Sequence, residues 1–173
     1  MRINLETNRL LLRPFQNTDL NDFYLWASDS EVTKYLTWQT HKNLEVSKMI
    51  LDKWIQEYEE PKRINFAICL KKINKVIGQV DVINYEGNIP VLGYVSNRNY
   101  WNNGYMSEAV NKVIEYLFNL GYEKIKIEAM VENIGSNKVI QKCGGVFYGT
   151  RIHDYKLKNE KRVINEYYIT KKQ

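Results

Sequence analysis

The sequence predicts a single mixed α/β domain over residues 1–173, with about seven strands in one mixed central sheet flanked by helices. Three observations carry this. Apolar spacing switches repeatedly between the helical and the strand period along the chain. No linker, internal repeat or low-complexity segment interrupts it. The resulting order, β α α β β β α β α β β, combines hairpins with strand–helix–strand connections, as expected for helices packed on one sheet.

The elements follow in order. Arg9 to Arg13 reads as a strand closed by Pro14, which cannot continue a ladder. Thr18-Asp19 caps a helix to about Ala27, with Leu20, Phe23, Tyr24 and Ala27 on its apolar face. An irregular aromatic stretch, Val32 to Trp38, comes next. A second helix spans Leu44 to Glu57, with Val46, Met49, Ile50, Lys53 and Trp54 along one side. Ile64 to Leu70 and Lys75 to Ile83 form a hairpin through Lys71 to Asn74. Glu86 to Pro90 turns into a strand at Val91. Ile125 to Met130 alternates as a strand, Ser136 to Lys142 is a short helix, and Gly144-Gly145 ends it. Val146 to Ile152 and Val163 to Thr170 are the last strands, joined by a charged turn from Asp154 to Lys161.

The most informative stretch lies between these, from Val91 to Gly121. A short strand runs into a turn rich in Asn, and from Ser107 apolar residues fall at Ala109, Val110, Val113, Ile114, Leu117 and Phe118. Gly121 supplies a left-handed end to that helix. The segment Asn103-Gly104-Tyr105-Met106-Ser107 therefore enters a helix amino end, where unpaired N–H groups and the helix dipole favour an anion. Gly104 lacks the Cβ that would hold a phosphate away. A plain connection would use the same residues. The chain contains neither G-x-x-x-x-G-K-[ST] nor G-x-G-x-x-G, which sets aside nucleotide hydrolysis and dinucleotide binding by those loops.

Composition narrows the class. Hydrophobic residues make up 44% and charged residues 26%, as in globular domains. No apolar run approaches a membrane span, and the first ten residues have no signal-peptide apolar core, so a cytoplasmic protein is expected. Cys69 and Cys143 show no metal-ligand spacing and read as buried reduced thiols; no metal is expected. The net charge of +5 is spread among scattered lysines, which suits a polyphosphorylated small ligand better than nucleic acid.

Leu92-Gly93-Tyr94-Val95 followed by Tyr100-Trp101-Asn102-Asn103-Gly104-Tyr105-Met106-Ser107-Glu108-Ala109 closely resembles the coenzyme A pyrophosphate loop of the GNAT (Gcn5-related N-acetyltransferase) superfamily. The match is to the branch of ribosomal-protein N-terminal acetyltransferases, whose usual form is near Y-W-G-x-G-Y-A-[ST]-E-A. Asn102 replaces a usual Gly, and Met106 replaces a usual small residue. Thr7 to Pro14 (T-x-R-L-x-L-R-P) and Glu132-Asn133-x-x-Ser136-Asn137-Lys138 resemble two further motifs of that branch, so the likeness covers nearly the whole chain.

The resemblance implies a GNAT fold with splayed strands at the coenzyme site, and acetyl transfer from acetyl-coenzyme A to an amine. It implies that Val95 and Ser96 hold the pantetheine arm and that Asn102, Asn103, Gly104, Tyr105, Met106 and Ser107 form the pyrophosphate turn. Asn133 would meet the arm, with Lys138 nearby. Glu128 is the candidate base, against a reading as a carboxylate paired with Lys126; Asp81 is the rival base. Ser136 is the candidate acid toward the leaving thiolate, or only the helix cap; a Tyr used elsewhere in the family is replaced here by Ile140. Tyr35 and Trp38 are candidates to line the acceptor cleft, against a core role. His41 is open between a second base and a surface residue, with the surface reading preferred, and His153 has no assigned role.

The acceptor is left open between a protein N-terminal α-amine, such as that of a ribosomal protein, and a small amine. Two other classes remain: a non-catalytic coenzyme A-binding sensor, and a basic RNA- or ribosome-associated protein. No membrane partner and no direct nucleic-acid contact are expected. A homodimer through the C-terminal strands is an open alternative.

Overall fold

The computed structural model describes residues 3–172. Eight strands form one sheet: β1 (Leu5–Glu6), β2 (Leu10–Arg13), β3 (Asn65–Leu70), β4 (Lys75–Glu86), β5 (Ile89–Ser96), β6 (Lys124–Met130), β7 (Val146–Tyr155) and β8 (Glu160–Thr170). Their spatial order is β1-β2-β3-β4-β5-β6-β8-β7. The helices are α1 (Leu20–Ala27), α2 (Ser30–Thr33), α3 (Leu44–Glu57), α4 (Tyr105–Asn119) and α5 (Ile134–Lys142). The eighth strand is the two-residue β1, which pairs Leu5 with Leu12 and Glu6 with Leu11. It is too short to carry a period that sequence reading can detect.

All strand pairs are antiparallel except β5 and β6, which run parallel and are joined through α4. Parallel neighbours need such a crossover, which is why a helix of four turns follows β5. α4 and α5 cover one face. Val110, Val113, Leu117 and Ile140 there pack on Leu12, Ile68, Val80, Leu92, Ile125 and Ile127. α1 and α3 cover part of the other face, where Phe23, Trp26 and Leu51 pack with Ala67 and Val76.

Several local expectations shift. The buried stripe of α3 is Ser47, Ile50, Leu51 and Trp54, and Met49 is 63% exposed. The stripe lies one position further on because Ser47 is small enough to sit inside and bonds His41. At the start of α1, Asp19 rather than Thr18 does the work. Its carboxylate accepts the Gln16 N–H at 2.8 Å and both Arg13 guanidinium nitrogens at 2.7 and 2.8 Å. The β7–β8 turn contracts to residues 156–159, closed by Asn159 at φ 53°. Both flanking strands extend into the charged stretch because their outward side chains tolerate charge.

Candidate active site

The parallel pair β5–β6 opens at one end. Val91 pairs with Lys126 and Leu92 with Ile127, and the ladder stops there. β5 continues through Gly93, Tyr94, Val95 and Ser96 without a β6 partner. β4 holds that free end instead: Gly78, Gln79 and Val80 pair with Ser96, Val95 and Tyr94. Gly78 permits the close approach, since a Cβ there would stand 2.4 Å from the Val95 carbonyl oxygen and 2.9 Å from the Ser96 Cα.

The N–H of Asn97 donates to the Ile77 carbonyl at 2.8 Å. Ladder alternation then turns the peptide groups of Val95 toward β4 and those of Tyr94 and Ser96 toward the gap. Consistently, the Ser96 carbonyl accepts the Trp101 indole N–H at 3.0 Å rather than a β4 donor. Of the expected pair Val95 and Ser96, Ser96 therefore aims its peptide group into the splay. Val95 packs its side chain on the α1–α3 core.

The loop after β5 ends at the amino end of α4. Asn102 adopts φ 61° and Gly104 φ 76°, the left-handed region that Asn tolerates and Gly favours. Asn103 braces the turn, its amide donating to the Tyr100 and Trp101 carbonyls at 3.3 and 2.8 Å. Met106 turns its side chain onto the core, which explains how a long residue fits this position. Ser107 is buried inside the first turn, and its carbonyl accepts the Cys143 thiol at 3.6 Å. Tyr105 lies under the Arg9 guanidinium, 4.4 Å from its ring centre.

Arg9 also donates to the Asn103 carbonyl at 3.0 Å and pairs with Glu108 at 2.7 Å. Burial opposes the Glu108 charge, but bonds from Thr7 and Arg9 outweigh it and hold its pKa below the usual carboxylate value. A Cβ on Gly104 would lie 3.5 Å from an Arg9 nitrogen and 4.0 Å from the Lys142 ammonium. Two cations thus flank the turn. Sequence reading treated Arg9 only as part of a motif and passed over Lys142; Lys138 lies exposed on the same helix α5.

Across the gap, α5 begins at Ile134, two residues earlier than expected, and its cap is Asn133. The Asn133 carboxamide oxygen accepts the Ser136 N–H at 3.1 Å, so Ser136 is not the cap. Asn137 ties the helix to the sheet, donating to the Met130 and Asn133 carbonyls and accepting from Asn165 and Tyr167. The Ser136 hydroxyl meets the Tyr94 hydroxyl at 2.8 Å. Tyr94, read from sequence as part of the Leu92-Gly93-Tyr94-Val95 strand motif and given no side-chain role, is thereby the second hydroxyl at the splay. Ile140 is fully buried in the core.

The opposite face of the splay carries the carboxylates. Glu128 pairs with Lys126 at 2.8 Å and Arg151 at 2.7 Å. Lys126, 3% exposed, also meets Glu86 at 2.8 Å and Glu166 at 2.5 Å. Burial works against its ammonium, but the three carboxylates outweigh that and hold its pKa above the ordinary lysine value. The Glu128–Lys126 contact foreseen as the bland alternative is thus present, joined by Arg151 from β7, which sequence spacing cannot place.

Asp81 sits opposite Gly93 and faces Arg63 at 3.5 Å. Burial pushes its pKa up to about 6 against the pull of Arg63. Tyr35 packs on Met130, Tyr155 and Ile164, while Trp38 rests on the α1–α3 core. The tip of the β7–β8 hairpin crosses to this segment: Lys158 donates to the Thr33 carbonyl at 2.7 Å, and Gln39 to the Leu157 carbonyl at 2.9 Å. A pocket of about 110 Å³ lined by Tyr58, Tyr85 and Tyr116 lies at the far end of α4, away from the splay.

His41 is buried, not on the surface: its Nδ1 meets the Ser47 hydroxyl at 2.7 Å, and its ring lies 5.0 Å from that of Trp38. Desolvation lowers its pKa from 6.5. The unfolded chain therefore takes up this proton first, so stability is full above about pH 6.5 and falls as pH drops below it. The His41→Gln variant should show a smaller loss of Tm between pH 7.5 and 5.5 than the parent, read by thermal denaturation.

A strand splay leads here to a glycine-bearing helix amino end, with hydroxyls on one side and carboxylates on the other, an arrangement open to an extended amide-bearing ligand that ends in phosphate. The family profile described as Acetyltransferase (GNAT) domain matches residues 9–146. The chain is 30% identical over 166 residues to the uncharacterized N-acetyltransferase p20 of Bacillus licheniformis, covering 94% of this chain and 92% of that one. A GNAT-family acetyltransferase structure from Bacillus anthracis is 27% identical with a TM-score of 0.85, covering 97% of this chain and 98% of that one. The same fold, at 16% identity and a TM-score of 0.85, occurs in RimL, a ribosomal L7/L12 α-N-protein acetyltransferase solved in complex with coenzyme A, with 97% and 98% covered. This chain belongs to the GNAT family and is an acetyl-coenzyme A-dependent N-acetyltransferase. Among the described residues, no helix is long and apolar enough to cross a membrane, and no cluster of metal-ligating side chains occurs.

Proposed function

We propose that the protein transfers the acetyl group of acetyl-coenzyme A to a primary amine by direct attack with both substrates bound. The observation that carries this is the β5–β6 splay, whose unpaired edge runs straight into the amino end of α4. An unpaired strand edge pairs with an amide-bearing chain as it would with another strand. The Tyr94 and Ser96 peptide groups and the Asn133 carboxamide hold the pantetheine arm. The N–H groups of residues 103–107, flanked by Arg9 and Lys142, hold the pyrophosphate. A β5 N–H facing the gap stabilises charge on the acetyl oxygen.

The acceptor enters between the Tyr35–Trp38 segment and the Glu128 face. Glu128, fixed by Lys126 and Arg151, attracts the incoming ammonium. Asp81, whose pKa near 6 suits proton uptake at neutral pH, is the base we favour. Ser136 faces the leaving sulfur. RimL acts on a ribosomal protein α-amine, which keeps peptide amino termini beside small amines as acceptors.

A thiol-release screen over free-amine peptides, aryl-alkylamines and polyamines tests this reading. Turnover of at least one class is expected. In the Glu128→Gln variant the acceptor KM should rise by about tenfold, in keeping with loss of one charge-assisted contact. Acetyl-coenzyme A binding with no turnover of any amine would leave a binding module and contradict the proposal.

A further inference from the structure

Asp81, the favoured base, shares one guanidinium with a second carboxylate. Arg63 lies two residues before β3, and its side chain stands between the end of α3 and the middle of β4. Its Nε is 2.9 Å from Glu57 Oε2, and its Nη1 is 3.5 Å from Asp81 Oδ2. The side chains of Glu57, Arg63 and Asp81 are only 22%, 14% and 15% exposed, so solvent screens these charges weakly. We propose that Glu57 is a positioning residue for acetyl transfer: it draws the Arg63 guanidinium toward α3 and off Asp81, leaving the Asp81 carboxylate free to take the proton of the amine. This deepens the proposed acyl-transfer site and rests on Asp81 as its base.

Three observations support the assignment. A carboxylate facing an unshared guanidinium closes on it to about 2.7–2.9 Å. The Arg13–Asp19 pair does so in this protein, at 2.7 and 2.8 Å. Asp81 does not, and the closer contact of Arg63 is with Glu57. Next, Glu57 is the last residue of α3, where the helix dipole opposes a negative charge. Its contact with the exposed Lys53 at 3.6 Å adds little, so the helix itself gains nothing from this carboxylate. Last, the two Asp81 oxygens face different ways. Oδ2 is turned to Arg63, whereas Oδ1 lies 3.4 Å from where a Gly93 Cβ would stand. Gly93 is the first residue of β5 beyond the β6 ladder, so the oxygen farther from the cation is the one beside the splay.

Each element packed near Asp81 contributes in turn. Asn65 of β3 and Gln79 of β4 are uncharged and bond each other at 2.9 Å. The Tyr58 phenol, which burial pushes up to about 12, stays neutral. β5 places Gly93 opposite. Glu128, Lys126 and Arg151 stand beyond β5, on β6 and β7. Burial raises the Asp81 pKa, Arg63 lowers it and Glu57 raises it. Removing the Glu57 charge therefore acts twice in one direction: it deletes a repulsion, and it frees Arg63 to close on Asp81. In the reaction the amine nitrogen bonds to the acetyl carbon, and the C–S bond breaks with its electron pair going to sulfur. The extra proton on nitrogen goes to Asp81, and the thiolate takes its own from solvent. A carboxylate gripped by a guanidinium takes that proton less readily.

The direct test follows the Asp81 carboxyl carbon of the intact protein by NMR against pH, with the resonance assigned by its loss in Asp81→Asn. It should titrate at about 6 in the parent. In Glu57→Gln it should titrate about one pH unit lower, and in Arg63→Gln about one pH unit higher. With any amine turned over, the acid limb of kcat/KM should move the same way in each variant, and the kcat plateau of Glu57→Gln should fall severalfold. Glu57→Gln should move the titration less in the Arg63→Gln background than in the parent, because the guanidinium carries most of the effect.

An Asp81 titration that stays put or rises in Glu57→Gln overturns the proposal. So does an equal shift with and without Arg63, since Glu57 would then act by repulsion alone. A lower Tm in Glu57→Gln without movement of the titration makes Glu57 a brace of α3 only, which also overturns it. Should Arg63→Gln fail to fold, the direction of the shift in Glu57→Gln decides. Failure of the base reading looks different: the carboxyl shifts as expected while kcat/KM keeps the parent limb in every variant, so the hold of Glu57 on Arg63 stands and the proton goes elsewhere.

Discussion

Replacing Gly78 with alanine should abolish tight acetyl-coenzyme A binding. The new methyl would stand 2.4 Å from the Val95 carbonyl oxygen and 2.9 Å from the Ser96 Cα, both backbone atoms that cannot rotate away. Relief requires β5 to move off β4, toward β6, and that motion closes the gap the pantetheine arm needs. Overpacking of this kind costs about 1–3 kcal/mol, so the variant should fold with a lower Tm. Calorimetry should show acetyl-coenzyme A affinity reduced by more than about tenfold, since the edge that pairs with the ligand is displaced. Gly149→Ala is the control. Nothing lies within 4 Å of a Cβ there, and binding should be unchanged. Parent-like affinity in Gly78→Ala would show that the splay does not depend on this contact.

The second large effect concerns Asp81. As the proposed base it must be ionised, so kcat/KM of the parent should fall as pH drops below about 6, the value to which burial raises its pKa. Asp81→Asn should lose about 10²- to 10⁴-fold in kcat and lack that acid limb. Glu128→Gln should keep it. Stability should move the other way. A carboxylate whose folded pKa lies above its ordinary 3.8 binds its proton more tightly in the folded chain. Stability therefore declines as pH rises from about 4 to about 6 and stays lower above. The Asn variant should match or exceed the parent Tm at pH 7.5, which separates lost chemistry from lost folding. An acid limb that survives in Asp81→Asn and vanishes in Glu128→Gln would return the base to Glu128.

Much of this was legible in the sequence because it is local. The period of α4, the positive-φ residues Asn102 and Gly104, and the strands β3 to β6 follow from short-range pattern. Met106 turning onto the core follows from helix geometry. What was illegible is what the sheet brings together over long separations. Arg151 reaches Glu128 from β7, and Arg9 reaches Glu108 and Asn103 from the β1–β2 turn. The cap of α5 was misplaced because Asn133 and Ser136 both suit the role, and only the start of the helix decides between them. His41 looked exposed because a lone polar residue between two helices carries no sign of the Ser47 hydroxyl that satisfies it. Which peptide groups face the gap depends on ladder phase, a property of the β4–β5 pairing rather than of β5 alone.

The central claim is that the β5–β6 splay and the amino end of α4 together form an acetyl-coenzyme A site. Calorimetric titration of the purified protein with acetyl-coenzyme A tests it most directly, with dephospho-coenzyme A and ATP alongside and with Arg9→Gln as the variant at the phosphate turn. The expected result is micromolar binding of acetyl-coenzyme A at one site, clearly tighter than ATP, and weakened in Arg9→Gln. Binding of ATP as tight as that of acetyl-coenzyme A would mean that the pantetheine arm is not recognised, and no heat with either ligand would contradict the site outright.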